Sequence, residues 1–174
     1  MSGKTRLAAR VLGISDLSAA HAESMYRLYS RYYAGGSHSR FMQDLSQKDY
    51  CILLQDERQA VRGFTTLAIS EHVISNQRLR CLFSGDTVIQ HQFWGEQTLP
   101  RAWCRFAGHL KAQEPQLPLY WLLIVKGHRT YRYLKVFPGV IFRRSTARPR
   151  NRSGASWTAW HRNALDSAMM RQQA

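Results

Sequence analysis

Cysteine is scarce in this sequence: Cys51, Cys81 and Cys104 are the only three among 174 residues, and each stands alone in apolar surroundings. None forms a C-x-x-C pair and none has histidine at zinc-ligand spacing, which argues against a disulfide scaffold and a structural zinc site and reads all three as buried thiols. No apolar run approaches the roughly 20 residues that cross a bilayer, and the basic start MSGKTRLAARVLG has no apolar stretch long enough for a signal peptide. A cytoplasmic protein without a membrane span is expected. Nothing repeats at the roughly 20 to 50 residue periods of solenoids and propellers. Acidic residues are few as well, with 11 Asp and Glu against 25 Lys and Arg, a net charge of +14.

The basic excess is concentrated late. Between Lys126 and Arg152 there are nine Lys or Arg and no acidic residue. Such a field attracts polyanions: nucleic acid, the phosphates of a nucleotide cofactor, an acidic carrier protein or a membrane surface. The rest of the composition, 44% hydrophobic and 21% charged, suits one packed core that needs no covalent staple.

Periodicity divides the chain into elements. Thr5 to Ile14 alternates like an edge strand, with Ser15 or Asp16 as candidate N-cap for the helix that follows. On that helix Leu17, His21, Met25, Leu28 and Tyr32 recur every three or four residues and share a face, and Gly35-Gly36 stops it. Ser37 or Ser39 opens a shorter helix with Phe41, Met42 and Leu45. Three strand-like runs come next, Tyr50 to Leu54, Gly63 to Ile74 and Gln77 to Ile89, joined by the polar turns Gln55 to Arg58 and Ser75-Asn76, which makes an antiparallel meander. Ala102, Trp103, Phe106, Ala107 and Leu110 then mark a helix over about Leu99 to Lys111, closed by Pro115 and Pro118. Leu119 to Val125, apolar throughout, predicts a strand covered on both faces in a partly parallel sheet. A last helix with Tyr131, Leu134 and Phe137 and a short strand Val140 to Phe142 complete the order β-α-α-β-β-β-α-β-α-β. Arg143 to Ser156 is rich in Arg, Ser and Pro and too poor in apolar residues to pack, so the domain is expected over 1–142 and a basic tail over 143–174, with Trp157, Trp160, Ala164 and Leu165 able to form a short helix.

Where the fourth strand, Gln77 to Ile89, gives way to the next helix, the sequence reads Gln92-Phe93-Trp94-Gly95-Glu96-Gln97. Together with the element order over roughly residues 5 to 142, this resembles the GNAT (GCN5-related N-acetyltransferase) superfamily, whose Q/R-x-x-G-x-G/A loop at that place cradles a pyrophosphate on backbone amides and a helix N-terminus. Gln92 and Gly95 match; Gln97 stands where Gly or Ala is expected, and Glu96 adds a negative charge. The resemblance implies an α/β (α+β) fold with a mixed, mostly antiparallel sheet flanked by helices. It implies a donor site including Val88 and Ile89 at the strand end, Gln92, Trp94, Gly95, Glu96, Gln97, Thr98 as a helix cap, Arg101 and Arg129. The donor would be an acyl-CoA or the acyl-phosphopantetheine of an acyl carrier protein, the acceptor an amine or hydroxyl, and the degenerate loop favours the carrier. No metal is implied, and His91, His109 and His128 lack a spaced second ligand. The plain alternative is an ordinary strand-to-helix turn with Trp94 packed in the core.

Attack of an amine on a thioester needs a base to neutralise the amine and benefits from an acid to protonate the thiolate. Asp86 interrupts the apolar run CLFSGDTVI on the fourth strand, where the resembling family often carries its base. A bulge at Gly85, with Asp86 bonded to nearby amides, is the structural alternative. The family's acid maps to Tyr133, or to Tyr131 as second choice, although both could be core aromatics. His21 belongs to the helix that borders the acceptor cleft in the resembling family, as do Tyr29, Tyr32 and Tyr33, and each could also be core. An N-acyltransferase is the expectation. The charge keeps two other readings open, a nucleic-acid-binding module acting through the basic tail and a non-catalytic GNAT-like binding protein.

Overall fold

The computed structural model describes residues 6–74 and 76–123. The chain divides into two compact units, Met1–Val73 with Arg78–Ile124, and Ile74–Gln77 with Val125–Ala174. The described elements lie in the first unit apart from the hairpin tip. They are β1 (Ala8–Gly13), α1 (Ala19–Ser30), α2 (His38–Ser46), β2 (Tyr50–Gln55), β3 (Val61–Ile74), β4 (Gln77–Ile89), α3 (Thr98–Gln113) and β5 (Leu119–Leu123), an α+β arrangement in the expected order. The expected last helix and strand, the boundary at 142 and the basic tail fall outside the described residues.

The strands form one sheet in the order β1-β2-β3-β4-β5. β1 and β2 are antiparallel with Ala8 opposite Gln55 and Gly13 opposite Tyr50, and β2 and β3 are antiparallel with Tyr50 opposite Leu67. β5 runs parallel to β4, from Arg80 opposite Leu119 to Ser84 opposite Leu123. A parallel neighbour requires a crossover, and α3 is that crossover.

β2 explains the layering. Cys51 and Leu53 point to one face, Ile52 and Leu54 to the other, and all four are buried. The first pair joins Met25, Leu28, Phe41, Leu45, Phe64 and Val88 beneath α1 and α2; the second joins Leu67, Leu82, Phe93, Leu99 and Leu110 beneath α3. Helical spacing sends these side chains inward: Met25 and Leu28 are three apart, Phe41 and Leu45 four apart. Arg80 fastens α3 to the sheet, its buried guanidinium donating to Leu110 O at 3.3 Å and pairing with Glu71 and Glu114.

Several local expectations are corrected. A short 3-10 turn, Ile14–Asp16, intervenes after β1, and the cap of α1 is Ser18, whose hydroxyl accepts from His21 N at 3.2 Å. α1 ends at Ser30, before the glycine pair, so Tyr32 lies beyond it and is 41% exposed. Cys104 is exposed on α3, unlike the buried Cys51 and Cys81. Leu119, Tyr120, Trp121 and Leu122 are each partly exposed, not covered on both faces.

Candidate active site

The side chains of β4 change face partway along. Leu82 packs under α3, and Ser84 Oγ accepts the indole N–H groups of Trp103 on α3 at 3.0 Å and Trp121 on β5 at 2.9 Å. Val88, four residues on, packs under α1 and α2 instead. Strict alternation would put 84 and 88 on the same face, so the strand contains one extra residue, a β-bulge. It falls at Gly85, where an added Cβ would lie 2.5 Å from Thr66 Oγ1, 3.2 Å from Lys48 Cε and 3.4 Å from the Phe83 ring. Only glycine fits there, and Asp86 is delivered to the α1/α2 face beside it.

On that face Asp86 is half-buried and near two tyrosines of the α1 end. Tyr29 and Tyr33 stack with ring centroids 4.7 Å apart and planes 19° from parallel. Burial pushes the Tyr29 hydroxyl above its ordinary pKa, and the Asp86 and Asp44 carboxylates push it further, against a smaller opposing pull from Arg40. Tyr33 is raised in the same way, first by burial, then by Asp86 and Tyr29. Lys48 closes the group: its side chain is 1% exposed and its ammonium sits 3.0 Å from Asp44 Oδ1. Two carboxylates, one ammonium and two stacked rings therefore share a half-buried site in a chain poor in acid.

The loop after β4 turns through a short 3-10 segment, His91–Phe93, before α3. Gly95 takes φ +89°, which L side chains avoid, and that is the position where the motif's glycine is required. Gln97 sits at φ −90°, ψ 6°, open to any residue, so the absence of Gly or Ala there does not distort the loop. Its amide side chain folds back to donate to Gly95 O at 3.2 Å. Phe93 N, Trp94 N and Glu96 N donate within the loop, whereas the amides of Gly95, Gln97, Thr98 and Leu99 have no acceptor among the described residues. These donors stand at the positive end of a 16-residue helix, an arrangement suited to a phosphate.

Thr98 is the first helical residue and not the cap; Gln97 takes the cap position without a side-chain bond. Pro100 lies in the first turn and Arg101 is exposed on it, while Gln92 is exposed and Glu96 half-buried in the loop. Val88 is buried and Ile89 half-buried. Trp94 is 48% exposed, so it is Phe93 that packs in the core. The Trp94 indole donates to Ile89 O at 2.8 Å and rests 4.5 Å from the His91 ring, and His91 N donates to Tyr32 Oη at 2.9 Å.

His21 belongs to a different neighbourhood. It lies eight residues, about 12 Å of helix rise, before Tyr29, with Nδ1 3.0 Å from Ser18 Oγ and Nε2 3.4 Å from Gln55 Nε2. It borders a groove of about 380 Å³ whose polar wall includes Arg27, Arg31, Arg62 and Gln90. The geometry thus separates His21 from Asp86. Tyr131, Tyr133 and Arg129 fall outside the described residues. Among the described residues no group of three or more His, Cys, Asp and Glu could hold a metal, and no helix is long and apolar enough to cross a membrane.

Sequence reasoning missed Lys48, Asp44, Thr66 and Ser84, and weighed His91 only as a metal ligand. The first three meet only because α2, β3 and β4 converge at the bulge; no spacing along the chain announces it. Ser84 had one local signal, its place next to Gly85 in an apolar strand.

No family model matches the sequence, and no curated protein matches it. Solved structures do match. A Trypanosoma brucei acetyltransferase shares 13% identity at TM-score 0.58, covering 83% of this chain and 100% of that one. A glucosamine-6-phosphate N-acetyltransferase from Arabidopsis thaliana shares 15% at 0.53, covering 81% and 97%. An aminoglycoside N-acetyltransferase in complex with CoA shares 8% at 0.52, covering 84% and 99%. At these identities the likeness is one of architecture, and the chain has a GNAT-like fold.

Proposed function

We propose that this protein is an N-acyltransferase that moves an acyl group from a coenzyme A thioester to an amine. The observation that carries the reading is the presence together of amides around Gly95 with no acceptor among the described residues and of the carboxylate that the bulge brings to the α1/α2 face. The solved acetyltransferases of the same architecture, one of them in complex with CoA, support it.

In this reading the donor's diphosphate rests on the amides of Gly95, Gln97 and Thr98, with Arg101 and Arg129 supplying positive charge and Val88 and Ile89 flanking the pantetheine. Asp86 takes a proton from the acceptor ammonium. The freed nitrogen forms its bond to the thioester carbonyl carbon and gives up its second proton as the C–S bond breaks with its electron pair on sulfur; the thiolate takes a proton from a tyrosine hydroxyl, the role the resemblance gives to Tyr133 or Tyr131, and that hydroxyl is restored by the proton the nitrogen releases. The rings of Tyr29 and Tyr33 form the acceptor wall. His21 has no part in the chemistry.

Coenzyme A is favoured over a carrier protein by Trp94. Its exposed indole stands next to Gly95, where a nucleotide base can stack and a bare phosphopantetheine arm cannot. The test is calorimetric titration with coenzyme A, acetyl-coenzyme A, 4′-phosphopantetheine and an acyl carrier protein, followed by an amine panel with acetyl-coenzyme A. Binding of coenzyme A well above phosphopantetheine is expected, with Trp94→Ala removing most of the difference. Asp86→Asn is expected to keep donor binding and lose roughly 10²- to 10⁴-fold in turnover. Failure of every thioester to bind would end the acyltransferase reading.

A further inference from the structure

Lysine is almost never fully buried unless its charge is matched, and Lys48 has a side chain only 1% exposed, paired with an Asp44 that is itself 45% exposed. A salt bridge at the surface would serve stability as well and need no desolvation of the ammonium. The position of the side chain suggests another purpose. Lys48 follows α2, and its Cε lies 3.2 Å from where a Cβ on Gly85 would be, one residue from Asp86 on the same face of β4. Asp44 belongs to the same neighbourhood, since it and Asp86 both act on the Tyr29 hydroxyl.

We propose that Lys48 is a positioning residue for Asp86: its buried chain braces the bulge at Gly85, and its ammonium is the counter-charge that lets Asp44 and Asp86 stand ionised together in one half-buried site. The inference rests on the reading of Asp86 as the base. Two carboxylates in one site disfavour each other's ionised form, and the desolvating rings of Tyr29 and Tyr33 act in the same direction. A base must be ionised to accept a proton. Of the described groups, Tyr29 and Tyr33 at the end of α1 both feel the Asp86 charge, Asp44 and Arg40 from α2 act on the same Tyr29 hydroxyl, and Lys48 and the Thr66 hydroxyl lie against Gly85 beside it. Arg40 is exposed, so solvent screens it, and Lys48 is the buried cation of the set.

The geometry predicts opposite responses from the two members of the pair. Lys48→Met keeps the length and apolar stem but removes the positive charge, so the Asp86 carboxyl should titrate at higher pH. Asp44→Asn removes a negative charge, so Asp86 should titrate at lower pH. Both are read by ¹³C NMR of the aspartate carboxyls in the full chain, with the Asp86 signal assigned by its loss in Asp86→Asn. A merely structural lysine would leave the Asp86 titration unmoved in Lys48→Met, and that result would overturn the proposal, as would shifts of the same sign in the two variants. If Lys48→Met does not fold, Lys48→Gln, which also removes the charge, is read in its place. The two readings fail separately. Full turnover in Asp86→Asn would end the base assignment while opposite carboxyl shifts stood. Lost turnover in Asp86→Asn with unmoved carboxyl titrations would end the role of Lys48 alone.

Discussion

Replacing Gly85 by alanine tests the bulge on which the candidate site depends. The new methyl would lie 2.5 Å from Thr66 Oγ1, inside any tolerable contact, and 3.2 Å from Lys48 Cε. Thr66 is 2% exposed and its hydroxyl has no hydrogen-bond partner among the described residues, so the oxygen gains little by staying yet has little free space into which to turn. Overpacking of this kind costs roughly 1 to 3 kcal/mol. Thr66→Ala removes the obstructing oxygen; its lost methyl, about 0.8 kcal/mol of transfer, is offset by release of a buried unpaired hydroxyl, leaving a single variant within about 1 kcal/mol of wild type. Thr66→Ser keeps the oxygen and should not relieve the clash. A double-mutant cycle by urea unfolding, Gly85→Ala with Thr66→Ala, should therefore show a favourable coupling of about 1 to 2 kcal/mol, absent with Thr66→Ser. Additivity within about 0.5 kcal/mol for both pairs would mean that the strand does not bring Gly85 against Thr66, and the placement of Asp86 would fall with it.

Other expectations are simpler to check. Asp56 holds the β2–β3 turn: Arg62 bonds its Oδ2 at 2.7 Å and the amides of Arg58 and Ala60 bond Oδ1 at 2.9 Å, and these contacts, Arg62 first, hold its carboxyl below the ordinary aspartate range. A depressed folded pKa stabilises above about pH 4 and that contribution disappears as pH falls through the lowered value, so thermal unfolding of Asp56→Asn should depend less on pH below 4 than that of wild type; an unchanged dependence would refute the assignment. Burial pushes the Cys51 thiol up to about 12 and Cys81 up to about 11, leaving exposed Cys104 as the reactive thiol. Native protein at pH 8 should titrate about one thiol with Ellman's reagent, and none in Cys104→Ser; rapid reaction of a second would contradict the buried placement.

Legibility from sequence followed the range of the interaction involved. β4 was read to the residue, Gln77 to Ile89, and α2 as a short helix opened by Ser37 or Ser39, of which Ser37 is the cap, because alternation, helical spacing and capping are short-range physics. The core faces were legible for the same reason, Met25 with Leu28 and Phe41 with Leu45. Gly95 was singled out by its match to the resembling family's loop, and the structure supplies the physical reason, a φ of +89°. Local rules also misled at helix starts: Ser18 offers α1 the capping bond expected of Ser15 or Asp16, and Gln97 takes the position expected of Thr98 without a side-chain bond.

Other features belong to tertiary structure alone. Asp86 was visible as a charge in an apolar strand, but the face it occupies depends on the bulge, and the bulge depends on Thr66 and Lys48 leaving no room for a side chain at Gly85. Lys48 reads as an ordinary surface lysine until α2 and β4 close over it. His21 reads as a neighbour of the cleft until α1 is laid across the sheet with His21 against Gln55. Periodicity along the chain determines which side chains go inward; only the convergence of segments distant in the sequence determines which of them meet, and the chemistry of the site is made of such meetings.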